Sequence, residues 1–397
     1  MNTVLDWKGN KLFCVPSAVG GFVAVLISLF GCSTHESNEP KEVEYKYEVI
    51  ADSLMIPWNI EVGPDGYLWV CEQENKLLRI SLEDYSQEAV SLIGFDYKLF
   101  FTHGLAFQPD FKESGMLFLG VFYFPKNIII SPAYLDVVKA KYDPEKNTIT
   151  MISTIVDSLF TPASNLPGGR LRISKDNKLL VTACNEPTNM RSQSLDNLSG
   201  KILRFNFDGS IPEDNPFTDS PIYTYGHRNP QGLIVMEDGR IFVSEHGPST
   251  DDELNEIIKG ENYGWPLVMG KCDTVPEFSI CDSIRIKESE YNWTPTIAPS
   301  SLVYYDSPKL PSLKGSFLVS TLKENDIRVL DTGEYGEIVE KKIILDGLFG
   351  RLRDMAIDTE GYLYVSTGNI LPIDRHAYDY MVKDTSIAYD VILKVYE

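Results

Sequence analysis

MEDGRIFVSEHG, residues 236–247, is a turn followed by a short run rich in β-branched and aromatic residues. The Asp238-Gly239 pair suits a tight hairpin turn, because both residue types tolerate the left-handed backbone that such turns need. Ile241 to Glu245 then reads as a strand, which His246-Gly247-Pro248 ends, since Gly frees the backbone and Pro cannot donate to a ladder. The same unit recurs as GPDGYLWVCEQ (63–73), SGMLFLGVFYF (114–124), SKDNKLLVTACN (174–185), LKGSFLVSTLK (313–323) and DTEGYLYVSTGN (358–369), giving six copies in 397 residues.

Most copies are followed by a second, alternating strand: KLLRISLED from Lys76, DVVKAKYDP from Asp136, KILRFNFDG from Lys201, DIRVLDTG from Asp326 and VILKVYE from Val391. Alternation marks half-buried strands, and long helical periodicity is nearly absent. Small sheet units that cannot fold alone are best satisfied by radial stacking, which also hides most strand edges. The expected fold is therefore all-β, a six-bladed β-propeller over residues 43–397. YKYEVI (45–50) is expected to join the blade that ends at VILKVYE and so close the ring. A jelly roll or sandwich fits the length and the repeat count less well.

The composition, with 43% hydrophobic and 11% aromatic residues, supports a large core, and a formal charge of -21 argues against nucleic acid as a partner. Lys8 and Lys11 precede the apolar run FVAVLISLF, and Leu29-Phe30-Gly31-Cys32 resembles a bacterial lipoprotein signal. Residues 1–31 are expected to be a cleaved signal peptide, Cys32 the lipidated first residue that attaches the protein to a membrane, and 32–42 a polar tether. The protein is thus expected in the bacterial cell envelope, on the periplasmic or cell-surface side. Among the six cysteines, Cys272 and Cys281 flank a short loop in an exported protein and are expected to form a disulfide. Cys71 and Cys184 read as two buried thiols or a bridge between blades.

The segment from Tyr223 to Pro266 is dense in residues that a plain strand does not need. Arg228 lies between His227 and Asn229. Three acids, Asp251, Asp252 and Glu253, follow Pro248, and Tyr263 is close behind. Clustered carboxylates and turn carbonyls suit a hard cation such as calcium, whereas spacing alone favours a solvated acidic loop capping a short helix at Asp252-Glu253-Leu254-Asn255. A propeller gathers ligand residues over its central channel, in the loops after its innermost strands. Lys323, Arg351 and Arg353 are expected there together with Arg228.

GHRNPQG (226–232), SEHGP (244–248), DDELN (251–255) and NYGWP (262–266), in this order, resemble the soluble quinoprotein sugar dehydrogenases, the glucose/sorbosone or aldose sugar dehydrogenase family that uses pyrroloquinoline quinone (PQQ). The resemblance covers essentially residues 43–397 and implies the six-bladed propeller. It also implies PQQ and Ca2+ as cofactors, a sugar oxidised at C1, and an external electron acceptor. By it, Lys323, Arg351 and Arg353 would bind cofactor carboxylates, Arg228 and Asn229 would contact the quinone, and Thr296 would touch the cofactor. The carbonyls of Gly247 and Pro248 would hold the catalytic calcium, and Asp252, Glu253 and the backbone of Tyr263 a structural one. NLSGKILRFNFDGSIPEDNPF (197–217) also matches and suits blade packing.

Two departures bear on turnover. Where the family shows His-x-Gly-Gly-Arg-Leu, with the His as general base, this chain reads LPGGRL (166–171), placing Leu166 at the base position. The segment LFFTHGLAFQPDF (99–111) keeps only the later part of a second motif and offers His103 as a substitute base. A buried, satisfied His or a surface loop His is the ordinary reading. Three functions stay open on sequence alone: a PQQ- and calcium-dependent sugar dehydrogenase, a catalytically weak propeller that binds PQQ or carbohydrate or serves in interactions, and a propeller enzyme of another type such as a calcium-dependent lactonase.

Overall fold

Each of the repeated runs becomes the second strand of a four-stranded antiparallel meander. In the computed structural model, which describes residues 43–72, 76–97, 100–124, 133–161, 168–185, 188–369 and 390–397, the strands form four four-stranded sheets and one eight-stranded sheet. The eight-stranded sheet consists of two meanders joined by a short parallel pairing of Gln87–Ile93 with Thr148–Thr161. Its first meander contains Asn59–Val62, Tyr67–Glu72, Lys76–Ser81 and Gln87–Ile93, and its second runs from Phe100–Phe107 to Thr148–Thr161. The remaining sheets begin at Leu171–Ile173, Pro230–Val235, Pro299–Tyr305 and Leu352–Ile357. The expected leader, the expected lipidation at Cys32 and Leu166 lie outside the described residues. No helix among the described residues is long and apolar enough to cross a membrane.

The chain closes on itself as expected. Lys46–Leu54 pairs antiparallel with Asp390–Tyr396, matching Lys46 to Tyr396 and Leu54 to Asp390. The first strand of every meander contacts the first strands of the meanders on either side, and Asn59–Val62 completes the cycle against Leu352–Ile357. The architecture is β-propeller-like.

The core follows the same logic, since each apolar cluster straddles two successive meanders. Ile60, Leu68 and Val70 of the first pack against Ala356, Tyr364 and Ile392 of the last, and Leu254 and Trp293 pack against Leu302, Phe317 and Val319 of the next sheet. Each fully buried aliphatic or aromatic side chain of this kind contributes on the order of 1.5–3 kcal/mol. No meander could bury these faces alone.

At the centre, the Arg170 guanidinium is fixed from several directions. Its Nη1 meets Asp354 Oδ2 at 2.7 Å, and its Nε and Nη2 donate to the carbonyls of Gln231 and Ser300 at 3.1 and 3.4 Å. Asp354 Oδ2 also accepts from Asn59 Nδ2 at 2.7 Å and from the Ile60 amide at 2.8 Å, while Asn59 Oδ1 accepts from the Leu105 amide at 2.9 Å. One buried ion pair thus ties the first strands of the meanders to one another. Gly104 is required beside it, because a Cβ there would lie 2.2 Å from the Gly169 carbonyl oxygen.

Candidate active site

Because the repeats are second strands, the candidate residues gather after the second strand of a meander and just before the first strand of the next, not after the innermost strands as the sequence reading placed them. Within a meander these positions share one end of the sheet. His246, Gly247 and Pro248 follow Ile241–Glu245, and Lys323 follows Ser316–Thr321. Arg228 and Asn229 precede Pro230–Val235, Thr296 precedes Pro299–Tyr305, and Arg351 precedes Leu352–Ile357, whose second residue is Arg353. A continuous chain of contacts joins them into one rim. Arg228 Nη1 donates to the His246 carbonyl at 3.0 Å, and the Gly247 amide donates to Asp252 Oδ1 at 2.7 Å. Asp252 Oδ2 takes the amides of Ile297 and Ala298, both at 2.6 Å. Lys323 Nζ donates to the carbonyl and hydroxyl of Thr296 at 2.7 and 3.2 Å, and Arg351 Nη1 donates to the carbonyl of Leu322 at 3.2 Å.

The acidic segment differs from the solvated loop and short helix expected from spacing. Asp252–Glu256 is a strand, paired with both Ile241–Glu245 and Tyr291–Trp293. Strand alternation sends neighbouring side chains to opposite faces, and the carboxylates of Asp252 and Glu253 take different partners. Asp252 is buried and spends both oxygens on backbone amides, and burial pushes its carboxyl up to about 6 against the hold of those amides. Glu253 stands cross-strand from Glu245, and burial followed by that like charge raises its carboxyl above the ordinary range. Its oxygens accept from the Gly270 amide and Asn255 Nδ2, both at 2.7 Å. Tyr263 stacks on His227 at 4.5 Å and donates its hydroxyl to the Glu256 carbonyl at 2.6 Å.

Glu245 was not singled out in the sequence, although it lies within SEHGP. Its Oε1 accepts the backbone amides of Arg228 and Asn229, and its Oε2 pairs with His227 Nδ1 at 2.9 Å. This one carboxylate therefore sets the path of GHRNP. Asn229 is buried and accepts Gln231 Nε2 at 2.7 Å.

Trp58 is the second residue that sequence reasoning missed. The Arg353 guanidinium lies 4.0 Å from the centre of its ring, and the His103 imidazole stacks on it at 4.0 Å and 17°. His103 is neither a loop residue nor satisfied. It lies in the strand Phe100–Phe107, is buried, and has no partner at either ring nitrogen. Burial, then the Arg353 charge, holds it well below the ordinary imidazole value. Burial, then Arg351, lowers Arg353 to about 9, and burial lowers Arg351 as well. The Nε atoms of Arg228 and Arg353 and Nε2 of His246 are likewise buried without partners. A rim that carries four cationic side chains and several unpaired buried nitrogens is suited to an anionic ligand. The fit extends to a quinone tricarboxylate, whose oxygens such donors would satisfy.

Away from the rim, Cys272 and Cys281 are bridged as expected, with Cα atoms 6.5 Å apart. Cys71 and Cys184 are both buried thiols, and no bridge joins them. Lys201, in the segment read as blade packing, is buried and donates to the carbonyls of Arg191, Ser192 and Ser199.

Residues 54–370 match the glucose/sorbosone dehydrogenase family. Quinoprotein glucose dehydrogenase B of Acinetobacter calcoaceticus is 34% identical over 266 residues, a match that spans 59% of this chain but only 55% of that protein. The apo form of the soluble aldose sugar dehydrogenase of Escherichia coli superposes with a TM-score of 0.71 at 24% identity, over 89% of this chain and 99% of the other. The PQQ-bound aldose sugar dehydrogenase of Streptomyces coelicolor gives 0.66 at 24% identity, over 89% and 98%. At these identities the two structures speak for the fold alone, but the family match runs through every meander, and this chain belongs to the glucose/sorbosone dehydrogenase family.

Proposed function

We propose that this chain is a lipid-anchored, six-bladed β-propeller of the bacterial cell envelope that binds PQQ and calcium on the rim described above. Its reaction is oxidation of an aldose at C1, with electrons passed to an external acceptor. The observation that carries this reading is the cationic rim with buried donors left unpaired at Arg228 and Arg353. Each such donor costs about 1–3 kcal/mol unless a ligand satisfies it. Lys323, Arg351 and Arg353 would hold carboxylates, Arg228 and Asn229 the quinone side with Thr296 beside it, and the carbonyls of Gly247 and Pro248 the calcium. When bound, PQQ supplies a two-electron acceptor and calcium a Lewis acid next to it. For the structural calcium, Glu253 is the acid that gains from a cation, because it faces Glu245; Asp252 is already spent on amides.

The chain's own residues then account for orientation and charge, but poorly for proton removal. Glu245 holds Arg228 and Asn229 in place through their amides. Leu166 cannot accept a proton. Of the described side chains near Arg353, His103 and His246 each keep a ring nitrogen without a partner, and burial keeps both neutral. The absence of a base at position 166 favours a second reading, a protein that binds PQQ or carbohydrate and turns over slowly. A missing positioned base costs about 10²–10⁴ in rate. The test is reconstitution of apo-protein with PQQ and calcium, followed spectrally and then by dye reduction with a panel of aldoses. A spectral change without turnover supports the slow binder. Fast turnover supports the dehydrogenase, and no spectral change refutes both.

A further inference from the structure

The geometry assigns a membrane-contacting surface to one side of the molecule, formed by Tyr47, Val49 and Leu348, with a phospholipid bilayer as its partner; this rests on the lipid anchor proposed at Cys32. These side chains are large and apolar yet exposed: 48% for Tyr47 and for Val49 and 60% for Leu348. They are also neighbours. Tyr47 and Val49 occupy alternate positions of the strand Lys46–Leu54 and so share a face. The Tyr47 ring meets Phe349 edge-on at 4.6 Å, which brings Leu348 alongside. Two segments some 300 residues apart in sequence thus combine to leave apolar side chains uncovered, which a soluble surface rarely does without a partner.

The partner is indicated by where the chain goes. Lys46–Leu54 is the edge strand of its sheet, and the polypeptide reaches it directly from exposed Val43. Only the residues from Ser33 to Val43 separate this point from Cys32, a reach of at most about 40 Å when extended. A bilayer held that close meets a surface whose Tyr suits the headgroup level. Stable membrane attachment commonly combines an acyl chain with a second contact of this kind. Phe349-Gly350-Arg351 runs from the surface to the rim, so the contact fixes how the rim faces the membrane.

The experiment uses the full lipid-anchored chain in vesicles of phosphatidylethanolamine and phosphatidylglycerol. A polarity-sensitive fluorophore is placed at Leu348→Cys or, as control, at Ile152→Cys on the second meander, which is 54% exposed. Cys71 and Cys184 are buried and Cys272 is bridged to Cys281, so the introduced thiol takes the label. The expected result is that both proteins float with the vesicles, while only the label at 348 shifts to the blue and is quenched by acyl-brominated lipid. Flotation with a label at 348 that behaves like the one at 152 overturns the surface and leaves the anchor standing. Failure to float overturns the anchor, and the surface with it.

Discussion

Asp354→Asn should be among the most damaging near-isosteric substitutions in this protein, although it touches nothing in solvent. The wild-type carboxylate is fully buried and its Oδ2 meets Arg170 Nη1 at 2.7 Å, Asn59 Nδ2 at 2.7 Å and the Ile60 amide at 2.8 Å. An amide keeps the volume but removes the charge, leaving the Arg170 guanidinium buried without a counterion. Removing one partner of a buried pair costs about 3–5 kcal/mol. Unfolding entropy near 2.1 cal/mol/K per residue over the roughly 355 residues from Val43 gives about 0.75 kcal/mol/K, so Tm should fall by about 4–7 °C. The assay is thermal unfolding of wild type, Asp354→Asn, Arg170→Met and the Asp354→Leu/Arg170→Met pair. The double variant should lose less than the two single losses added together, because it leaves no uncompensated charge. The pH dependence has a definite sign. Burial alone would raise Asp354, but the Arg170 charge outweighs it and leaves the carboxyl below its usual range. Its contribution is therefore fully present above about pH 4 and is lost as pH falls through the folded value, so wild type and Asp354→Asn converge in acid. A fall in Tm no larger than that of Asp143→Asn, which breaks the exposed pair with Lys146, would refute the argument.

Arg353→Met should abolish PQQ binding while leaving the apo-protein as stable as wild type or more so, because it removes a buried charge with an unpaired Nε; titration with PQQ and apo thermal melts check both halves. Asp252→Asn should cost about 1.5–3 kcal/mol with or without calcium, since it weakens bonds to three amides, and chemical denaturation measures it. Chelation should lower Tm in wild type but not in Glu253→Gln if Glu253 is the acid that calcium relieves, and equal responses in differential scanning calorimetry would remove Glu253 from the site. Leu166→His should raise dye-linked aldose oxidation by about 10²–10⁴, and His103→Ala should abolish the residual wild-type rate; unaffected fast turnover in His103→Ala would dismiss both residues from proton transfer.

The repeats, the disulfide between Cys272 and Cys281, and the ring-closing pairing of the first strand with the last were all legible in the chain. The first two are written in local chemistry: turn residues with a left-handed backbone, alternation of apolar side chains, and two cysteines close in sequence. The membership of Arg228, Lys323, Arg351 and Arg353 in one set was legible through motifs, though not through spacing. The acidic run was misread because Asp252-Glu253-Leu254-Asn255 has no pattern that separates a capped turn from a short strand. Its strand character comes from ladders to Ile241–Glu245 and Tyr291–Trp293, which are long-range contacts.

By itself, then, the sequence determined the repeating unit, the all-β class and which residue types could meet an anion. Only the tertiary structure decided that Trp58 lies between Arg353 and His103, that Glu245 steers GHRNP through two amides, and that Arg170 and Asp354 share the centre of the ring. The physical reason is that strand formation and turns depend on neighbours in the chain, whereas burial and pairing of charge depend on residues brought together from separate meanders. Whether a histidine is a satisfied core residue or a nitrogen awaiting a ligand is fixed by those distant neighbours, and for His103 they are rings rather than hydrogen-bond partners.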